Sequence, residues 1–374
     1  MTIRALLVDD EEPARDRLRG MLDQIDDVEI VGEAHDGLDA VQQIESARPD
    51  LVFLDIEMPG LTGMEVASSL TPPRPRIVFC TAYDQYAIEA FDQHATDYLL
   101  KPVNRGRLEK AVGRVRETIH ERDNARREVE AATQAQARLL PQCRPPMASL
   151  DYDGLCRPAR GVGGDYYDFL DLRRGAVGLV LADISGKGMF AGLLVASLQA
   201  RIQSIAPLHG SDLGELVCEA NRLMHSSTEI NRYATFFYGV FDDATRELTY
   251  VNAGHLPPLI LRPRPGGGVN GKGYETIRLE ANGTVVGLMP DACYRQDSIQ
   301  LQRGDIFCAF TDGVSEALND EGEEFGDGRL VDALLDHASS TAEEACRQIL
   351  VGVDRFTGGA AQRDDVTLIV GRVR

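Results

Sequence analysis

Basic residues are scarce for the length. Lys and Arg number 39 against 59 Asp and Glu in 374 residues, a formal net charge of −20. So acidic a chain is a poor partner for DNA, RNA or an anionic lipid surface, and no helix-turn-helix segment offsets the charge, so neither nucleic acid nor membrane is expected as a partner. The seven cysteines (Cys80, Cys143, Cys156, Cys218, Cys293, Cys308, Cys346) are odd in number, scattered, and never form a Cys-x-x-Cys pair. They read as reduced thiols. No stretch fits Cys-x5-Arg, so thiolate phosphatase chemistry lacks both its nucleophile and its phosphate clamp. MTIRALLVDDEE starts a strand with no signal-peptide h-region, and no apolar run is expected to reach membrane-spanning length, so a soluble cytoplasmic protein is expected. GGGVNGKG (266–273) imitates a P-loop but ends in Gly where Ser or Thr is required, and it leads into the strand-like YETIRL without a helix, so it reads as a hairpin loop that binds no nucleotide.

The length allows two or three domains, and the chain divides into 1–116, a connector 117–148, and 149–374. In the first part, short apolar runs at Ala5–Val8, Val28–Ala34, Leu51–Leu54, Ile77–Cys80 and Asp97–Leu100 alternate with amphipathic segments around Arg15–Leu22, Leu38–Ser46, Met64–Leu70 and Gln85–Phe91. Five such units predict an α/β doubly wound parallel sheet, whose functional crevice lies beyond the carboxyl ends of the strands. Asp9, Asp10, Asp55, Thr81 and Lys101 all fall there. Three carboxylates side by side call for a cation, so Asp9, Asp10 and Asp55 form a candidate Mg²⁺ site, with Asp55 free to attack a phosphoryl group and Lys101 and Thr81 placed to meet it. Pro102 after Lys101 suggests a fixed, cis-capable peptide.

LLVDDEEPAR, FLDIEMPGLTGMEVA, VFCTAYDQYAIEAF and ATDYLLKPV resemble the response-regulator receiver domain, notably the subgroup fused to LytTR DNA-binding domains. The resemblance implies that Asp55 is the phosphoacceptor, Asp9 and Asp10 the metal acids, Thr81 and Lys101 the phosphate sensors and Tyr98 the switch aromatic. A sensor histidine kinase or another phosphodonor is then the implied partner. No LytTR-like segment follows here.

The stretch LEKAVGRVRETIHERDNARREVEAATQAQARLLPQ predicts one long helix, ended by Pro141, Pro145 and Pro146. Leu108, Val112, Val115, Ile119, Val129 and Leu140 follow a 3-4 spacing, but the same register carries Arg122, Arg126, Thr133 and Gln136. Two readings stay open: a seam that pairs two copies as a homodimer, or a solvated spacer with one face against the first domain.

Beyond it, strand-like runs at Val177–Leu181, Thr235–Phe241, Glu247–Val251, Leu259–Arg262, Thr276–Leu279, Ser298–Leu301, Ile306–Phe310 and Val366–Val370 outnumber helical patterns at Met189–Ile205, Asp212–Ser226, Arg329–His337 and Ala342–Phe356. That predicts an α+β layered domain. Four acids lie at strand ends or adjoining turns: Asp165, Asp183, Asp312 and Asp364, with Asp365 as the alternative to Asp364. Two divalent ions held by such carboxylates can activate a water for in-line displacement at phosphorus, and the lack of His and Cys donors favours Mg²⁺ or Mn²⁺ over zinc. His255 reads as a packed turn histidine, and Asp168 and Asp171 as turn or capping acids. Arg157 or Arg160 could touch a substrate phosphate.

GGDYYDF, LADISGKG, NAGHLPP, FTDGVSEA and RDDVTLIV, in that order, resemble the PP2C-like metal-dependent serine/threonine phosphatases of the sigma-regulator and sporulation type. The resemblance implies a β-sandwich flanked by helices, two bound metals, Asp183 bridging them with the Ile184 carbonyl beside it, and a phosphorylated anti-anti-sigma (STAS) protein as substrate. A catalytically silent scaffold that only binds such a partner is the alternative, and retention of all four acids argues against it.

Overall fold

The computed structural model describes residues 2–82, 96–172, 175–209, 212–227, 232–264 and 273–374. The chain forms two compact units, Met1–Arg127 and Glu128–Arg374.

In the first unit, β1 (Ile3–Val8), β2 (Val28–Ala34), β3 (Leu51–Asp55), β4 (Arg76–Thr81) and β5 (Asp97–Leu100) form one parallel sheet in the order β2-β1-β3-β4-β5. The apolar runs have no alternation because both faces are buried. Ala5, Leu7, Phe53 and Val78 face one core, and Leu6, Val8, Val52, Leu54 and Phe79 the other. Helices α1 (Glu12–Leu22), α2 (Gly37–Ala47) and α3 (Gly63–Ser69) connect the strands, and Thr62 with Glu65 closes a capping box on α3. The helical segment expected at Gln85–Phe91 lies outside the described residues. The Lys101–Pro102 peptide bond is cis.

One helix, α4 (Arg105–Ala137), begins in this unit and ends in the next, stopping short of Pro141. Its first turns follow the second of the two readings, with one apolar face against the first unit. Leu108, Val112 and Val115 are fully buried in the core beneath β1, β3 and β4, with Ile119 packed at its edge. These side chains complete the core of the first unit, and residues 121–130 are almost wholly exposed.

The second unit is a sandwich. One sheet has the order β13-β10-β9-β8-β7, from β13 (Asp297–Gln300), β10 (Glu247–Ala253), β9 (Ala234–Asp242), β8 (Ala176–Ile184) and β7 (Asp165–Asp171). The other runs β12-β11-β14-β15-β6, from β12 (Tyr274–Arg278), β11 (Leu259–Pro263), β14 (Ile306–Phe310), β15 (Val366–Val373) and β6 (Leu150–Arg157). All pairings are antiparallel. Alternation along each strand builds three apolar layers. Tyr167, Phe169, Leu179, Leu181, Phe237, Ile260, Phe307 and Ile369 fill the space between the sheets. Tyr166, Val180, Ala182, Phe236 and Tyr238 point outward under α5 (Met189–His209) and α6 (Leu213–Ser227). On the other side, Leu261, Cys308, Phe310, Leu368 and Val370 lie under α8 (Gly326–Asp336) and α9 (Ala342–Thr357), with the short α7 (Asp312–Ser315) at the strand ends.

Two features depart from expectation. Strands β6 and β7 were not legible as strands, because Asp151, Asp153, Asp165, Asp168 and Asp171 interrupt their apolar pattern. Contrary to the expectation that no apolar run is long enough, α5 has the length and composition to cross a membrane. Half of that window is buried within the unit, where Leu194, Val195, Leu198, Ile202 and Ile205 pack on the sheet, so it is accounted for as a core helix.

Phe237 is fully buried between the sheets, its ring 6.0 Å from those of Tyr250 and Phe307. Phe237→Ala is expected to destabilise the second unit by about 3–5 kcal/mol. Urea unfolding of the full chain measures this, and a change below about 1 kcal/mol would contradict the placement of the sandwich core.

Candidate active site and phosphoacceptor site

In the first unit, β1 delivers Asp9 and Asp10, β3 delivers Asp55, β4 delivers Thr81, and Lys101 follows β5. Ligand oxygens of Asp9, Asp10 and Asp55 all lie within 4.8 Å of one another, Asp9 and Asp55 buried and Asp10 exposed. Lys101 Nζ sits 2.6 Å from Asp55 Oδ2 and 2.8 Å from Asp9 Oδ2. Burial raises the Asp55 pKa, the Lys101 ammonium opposes the rise, and Asp9 adds to it. Burial works against the charge on Lys101, but its bonds to Asp55 and Asp9 win and its pKa is raised. Thr81 is buried at the end of β4 and its carbonyl accepts the Lys101 N–H at 2.7 Å. Tyr98 is half-buried against the β3–β4 face. Every receiver residue singled out from sequence therefore lies at the carboxyl end of the sheet or beside it.

In the second unit, Asp165 at the start of β7 and Asp183 near the end of β8 are direct partners in the antiparallel ladder. Like charges opposed in this way repel unless something holds them. Asp312 begins α7 straight after β14, and Asp364 precedes β15. Burial and the Asp183 charge hold the Asp165 carboxyl well above the usual range, opposed by the hydrogen bond from Thr311. Asp183 is pushed up to about 7 by burial, then by Asp312, Asp364 and Asp365, with Lys187 opposing. Burial and Asp364 also raise Asp312. Such a set of hard, mutually repelling oxygens suits divalent cations of the Mg²⁺ or Mn²⁺ type.

Several supporting residues escaped the sequence reading. Thr311 Oγ1 donates to Asp165 Oδ2 at 2.8 Å and accepts the Thr367 N–H at 3.0 Å, joining β14 and β15 to β7. Lys187 Nζ lies 2.7 Å from Asp364 Oδ2 and 2.8 Å from the Arg363 carbonyl. The polar residues inside FTDG and DDVT, and the lysine of SGKG, were the available signals. Asp364 and Asp365 separate clearly. Asp365 is buried and spends both oxygens on backbone amides, Oδ1 on Ala159 N at 2.7 Å and Oδ2 on Gly164 N at 2.6 Å. Asp364 is half-exposed beside Asp312. A Cβ on Gly164 would stand 2.8 Å from the Ile184 carbonyl oxygen, so only glycine lets the loop approach that group.

Arg157 is committed to a two-pronged pair with Asp354 of α9, at 2.7 and 2.9 Å. It lines a cavity of about 480 Å³ together with Asp312, Glu316 and Asp364. Arg160 is exposed. His255 is buried with Nδ1 2.7 Å from Thr235 Oγ1, and burial pushes its pKa down to about 4, so it is a neutral packed histidine. Asp168 accepts from Tyr166 Oη and Gln203 Nε2 at 2.9 and 2.8 Å, a structural knot away from the four acids.

A parallel receiver sheet followed by a helix-flanked antiparallel sandwich with acids at one end defines a receiver domain joined to a PP2C-like phosphatase domain. The chain belongs to the SpoIIE family, since the profile described as Stage II sporulation protein E matches residues 173–374, more than half of it. The response regulator receiver domain matches residues 5–113. The transcriptional regulatory protein BtsR of Salmonella typhi is 49% identical over 122 residues, 32% of this chain and 51% of the relative. The chain thus spans about half the length of the curated relatives it matches. Among solved structures, the SiaA-PP2C domain of Pseudomonas aeruginosa superposes with a TM-score of 0.58 at 22% identity, covering 68% of this chain and 99% of that one. The phosphatase domain of SpoIIE from Bacillus subtilis, with a fragment of its regulatory domain, gives a TM-score of 0.50 at 18% identity, covering 61% and 64%. At these identities the structural likenesses carry the fold alone.

The raised carboxyl groups set a pH dependence. A carboxyl whose folded pKa exceeds its unfolded one favours the fold fully below the unfolded value, near 4, and that contribution is lost as pH rises through the folded value. For Asp183 the loss is complete above about 7. Metal-free protein is therefore expected to melt lower at pH 8 than at pH 5.5. Mn²⁺ at a hundredfold excess over Kd should restore about 2.7 kcal/mol at pH 8 and less at pH 5.5, where protons compete. Calorimetric melting with and without Mn²⁺ checks this, and equal metal shifts at both pH values would contradict it.

Proposed function

We propose that the chain is a two-component response regulator in which phosphorylation of Asp55 controls a metal-dependent phosphoserine/phosphothreonine phosphatase. Its substrate, in this reading, is a small phosphorylated anti-anti-sigma (STAS) protein. The observation that carries the catalytic part is the opposition of Asp165 and Asp183 across β7 and β8, with Asp312 and Asp364 near enough to raise the Asp183 pKa. Asp165, Asp183, Asp312 and Asp364, with the Ile184 carbonyl, would hold two Mn²⁺ or Mg²⁺ ions. We favour Asp364 over Asp365 because the latter's oxygens already serve backbone amides. Bound there, the cations would make a water nucleophilic near neutral pH and stabilise charge in an in-line displacement at phosphorus. Thr311 holds Asp165 in place, and Asp365 holds the loop that presents it.

In the receiver, Asp55 would take the phosphoryl group from a sensor histidine kinase or a small phosphodonor, with Mg²⁺ on Asp9, Asp10 and Asp55 offsetting the charge. Lys101 would then exchange its bond to Asp55 for one to the phosphoryl oxygens, Thr81 would donate its hydroxyl, and Tyr98 would respond on the face beside it. Pairing of two copies along the connector, if control uses it, belongs to the stretch after Ile119, because the residues before it are spent on the receiver core. A cytoplasmic location fits a phosphodonor and phosphoprotein substrate of this kind.

Two variants test this. Asp55→Asn should take up no label from acetyl phosphate, and full, acid-stable labelling of the variant would exclude Asp55 as acceptor. Asp183→Ala should lower Mn²⁺-dependent hydrolysis of p-nitrophenyl phosphate by more than the roughly 10–100-fold typical of losing a metal's outer-shell support. Substantial turnover at saturating metal would place catalysis elsewhere.

A further inference from the structure

The end of α4 grips the loop that presents Asp165. Gln136, the last residue but one of the helix, donates from Nε2 to the Gly163 carbonyl at 2.8 Å and accepts the Gly163 N–H on Oε1 at 2.9 Å. One side-chain amide thus satisfies both backbone groups of one glycine, as a neighbouring strand would. The next residue, Gly164, donates its N–H to Asp365 Oδ2 and accepts the Ile184 N–H at 3.1 Å, and Asp165 follows. The surroundings leave little slack. A Cβ on Gly163 would lie 2.6 Å from Asp365 Oδ2, and one on Gly161 would lie 2.7 Å from Thr133 Oγ1 and 2.8 Å from Val129 Cγ1. Thr133, Val129 and Gln136 share one face of α4, at the three- and four-residue spacing that stacks side chains along a helix.

We propose that Gln136 is a positioning residue for the phosphatase reaction: by pinning the Gly163 peptide it holds Asp165 opposite Asp183 at a separation that divalent cations can bridge. The proposal rests on the metal-dependent phosphatase reading above and adds to it a residue outside the acid set. A loop of glycines has the widest conformational freedom of any segment, and two opposed carboxylates push it open. Asp365 secures it at Gly164 and Gln136 secures it at Gly163. The task demands an amide, because one donor and one acceptor must meet a carbonyl and an N–H at once. The helix that carries Gln136 starts among the receiver's core residues Leu108, Val112 and Val115.

Full-length chains in an Asp55→Asn background, which weakens the receiver's own metal set, test the assignment. Gln136→Leu keeps the bulk but leaves both Gly163 groups unpaired. Gln136→Glu keeps an acceptor for the N–H and loses the donor. Exposed Gln134→Leu on the same helix is the control. Mn²⁺ affinity is read by titration calorimetry, melting is followed without metal, and p-nitrophenyl phosphate turnover is followed against Mn²⁺ concentration. Gln136→Leu is expected to weaken Mn²⁺ binding by about 10–100-fold, with turnover recovering toward the parent value at saturating metal and metal-free melting little changed. Gln136→Glu should fall between it and the parent, and Gln134→Leu should match the parent. If Gln136→Leu does not fold, Gln136→Glu carries the test alone. Mn²⁺ affinity equal to the parent's in the folded Gln136 variants would overturn the proposal and leave the phosphatase reading standing. A parent chain that neither binds Mn²⁺ nor turns over substrate would overturn both.

Discussion

Two carboxylates face each other across a hydrogen-bonded strand pair, and much of the second unit is arranged to tolerate that. Asp165 and Asp183 occupy one register step of β7 and β8, and both are driven toward protonation by burial and by each other's neighbours. Uncompensated, the arrangement costs stability at neutral pH. The structure answers with hydrogen bonds from Thr311 to Asp165 and from backbone amides to Asp365, and with the Lys187 ammonium on Asp364. Apolar residues would pack the same strand ends at lower cost, and the proposed cation site accounts for acids standing there instead.

The same logic recurs in the first unit at smaller scale. Ligand oxygens of Asp9, Asp10 and Asp55 are brought within 4.8 Å, and Lys101 supplies an ammonium bonded to two of these acids. Each unit therefore holds a cluster of acids whose mutual repulsion a bound cation would relieve. The units share a single helix, whose apolar start belongs to one core and whose polar end meets the glycine loop of the other.

What could be read from sequence was what depends on local pattern. The buried parallel strands, the acids at their ends and the helices of both units carry their periodicity openly. Strands β6 and β7 did not, because acids interrupt their apolar pattern and are satisfied by side-chain partners that no periodicity announces: Asp151 by Arg374, Asp153 by Arg144, and Asp168 by Tyr166 and Gln203. The distinction between Asp364 and Asp365 rests on amides of Ala159 and Gly164, about two hundred residues away. Leu108, Val112 and Val115 followed a coiled-coil spacing, yet an amphipathic helix closing a core has the same period as one pairing with a copy. Gln136 looked like a flaw in that seam. Its significance lies in reaching across 27 residues to Gly163, a contact no periodicity announces.

In the function proposed here, the acid end of the sandwich holds two ions. Crystals of the chain soaked in Mn²⁺ and measured at the manganese absorption edge test it directly. The account predicts two anomalous peaks in the second unit, one between Asp165 and Asp183 and the other bounded by Asp183, Asp312 and Asp364, with Asp365 bound to neither. The absence of any peak at those carboxylates at saturating Mn²⁺, or a peak coordinated by Asp365 in place of Asp364, would contradict it.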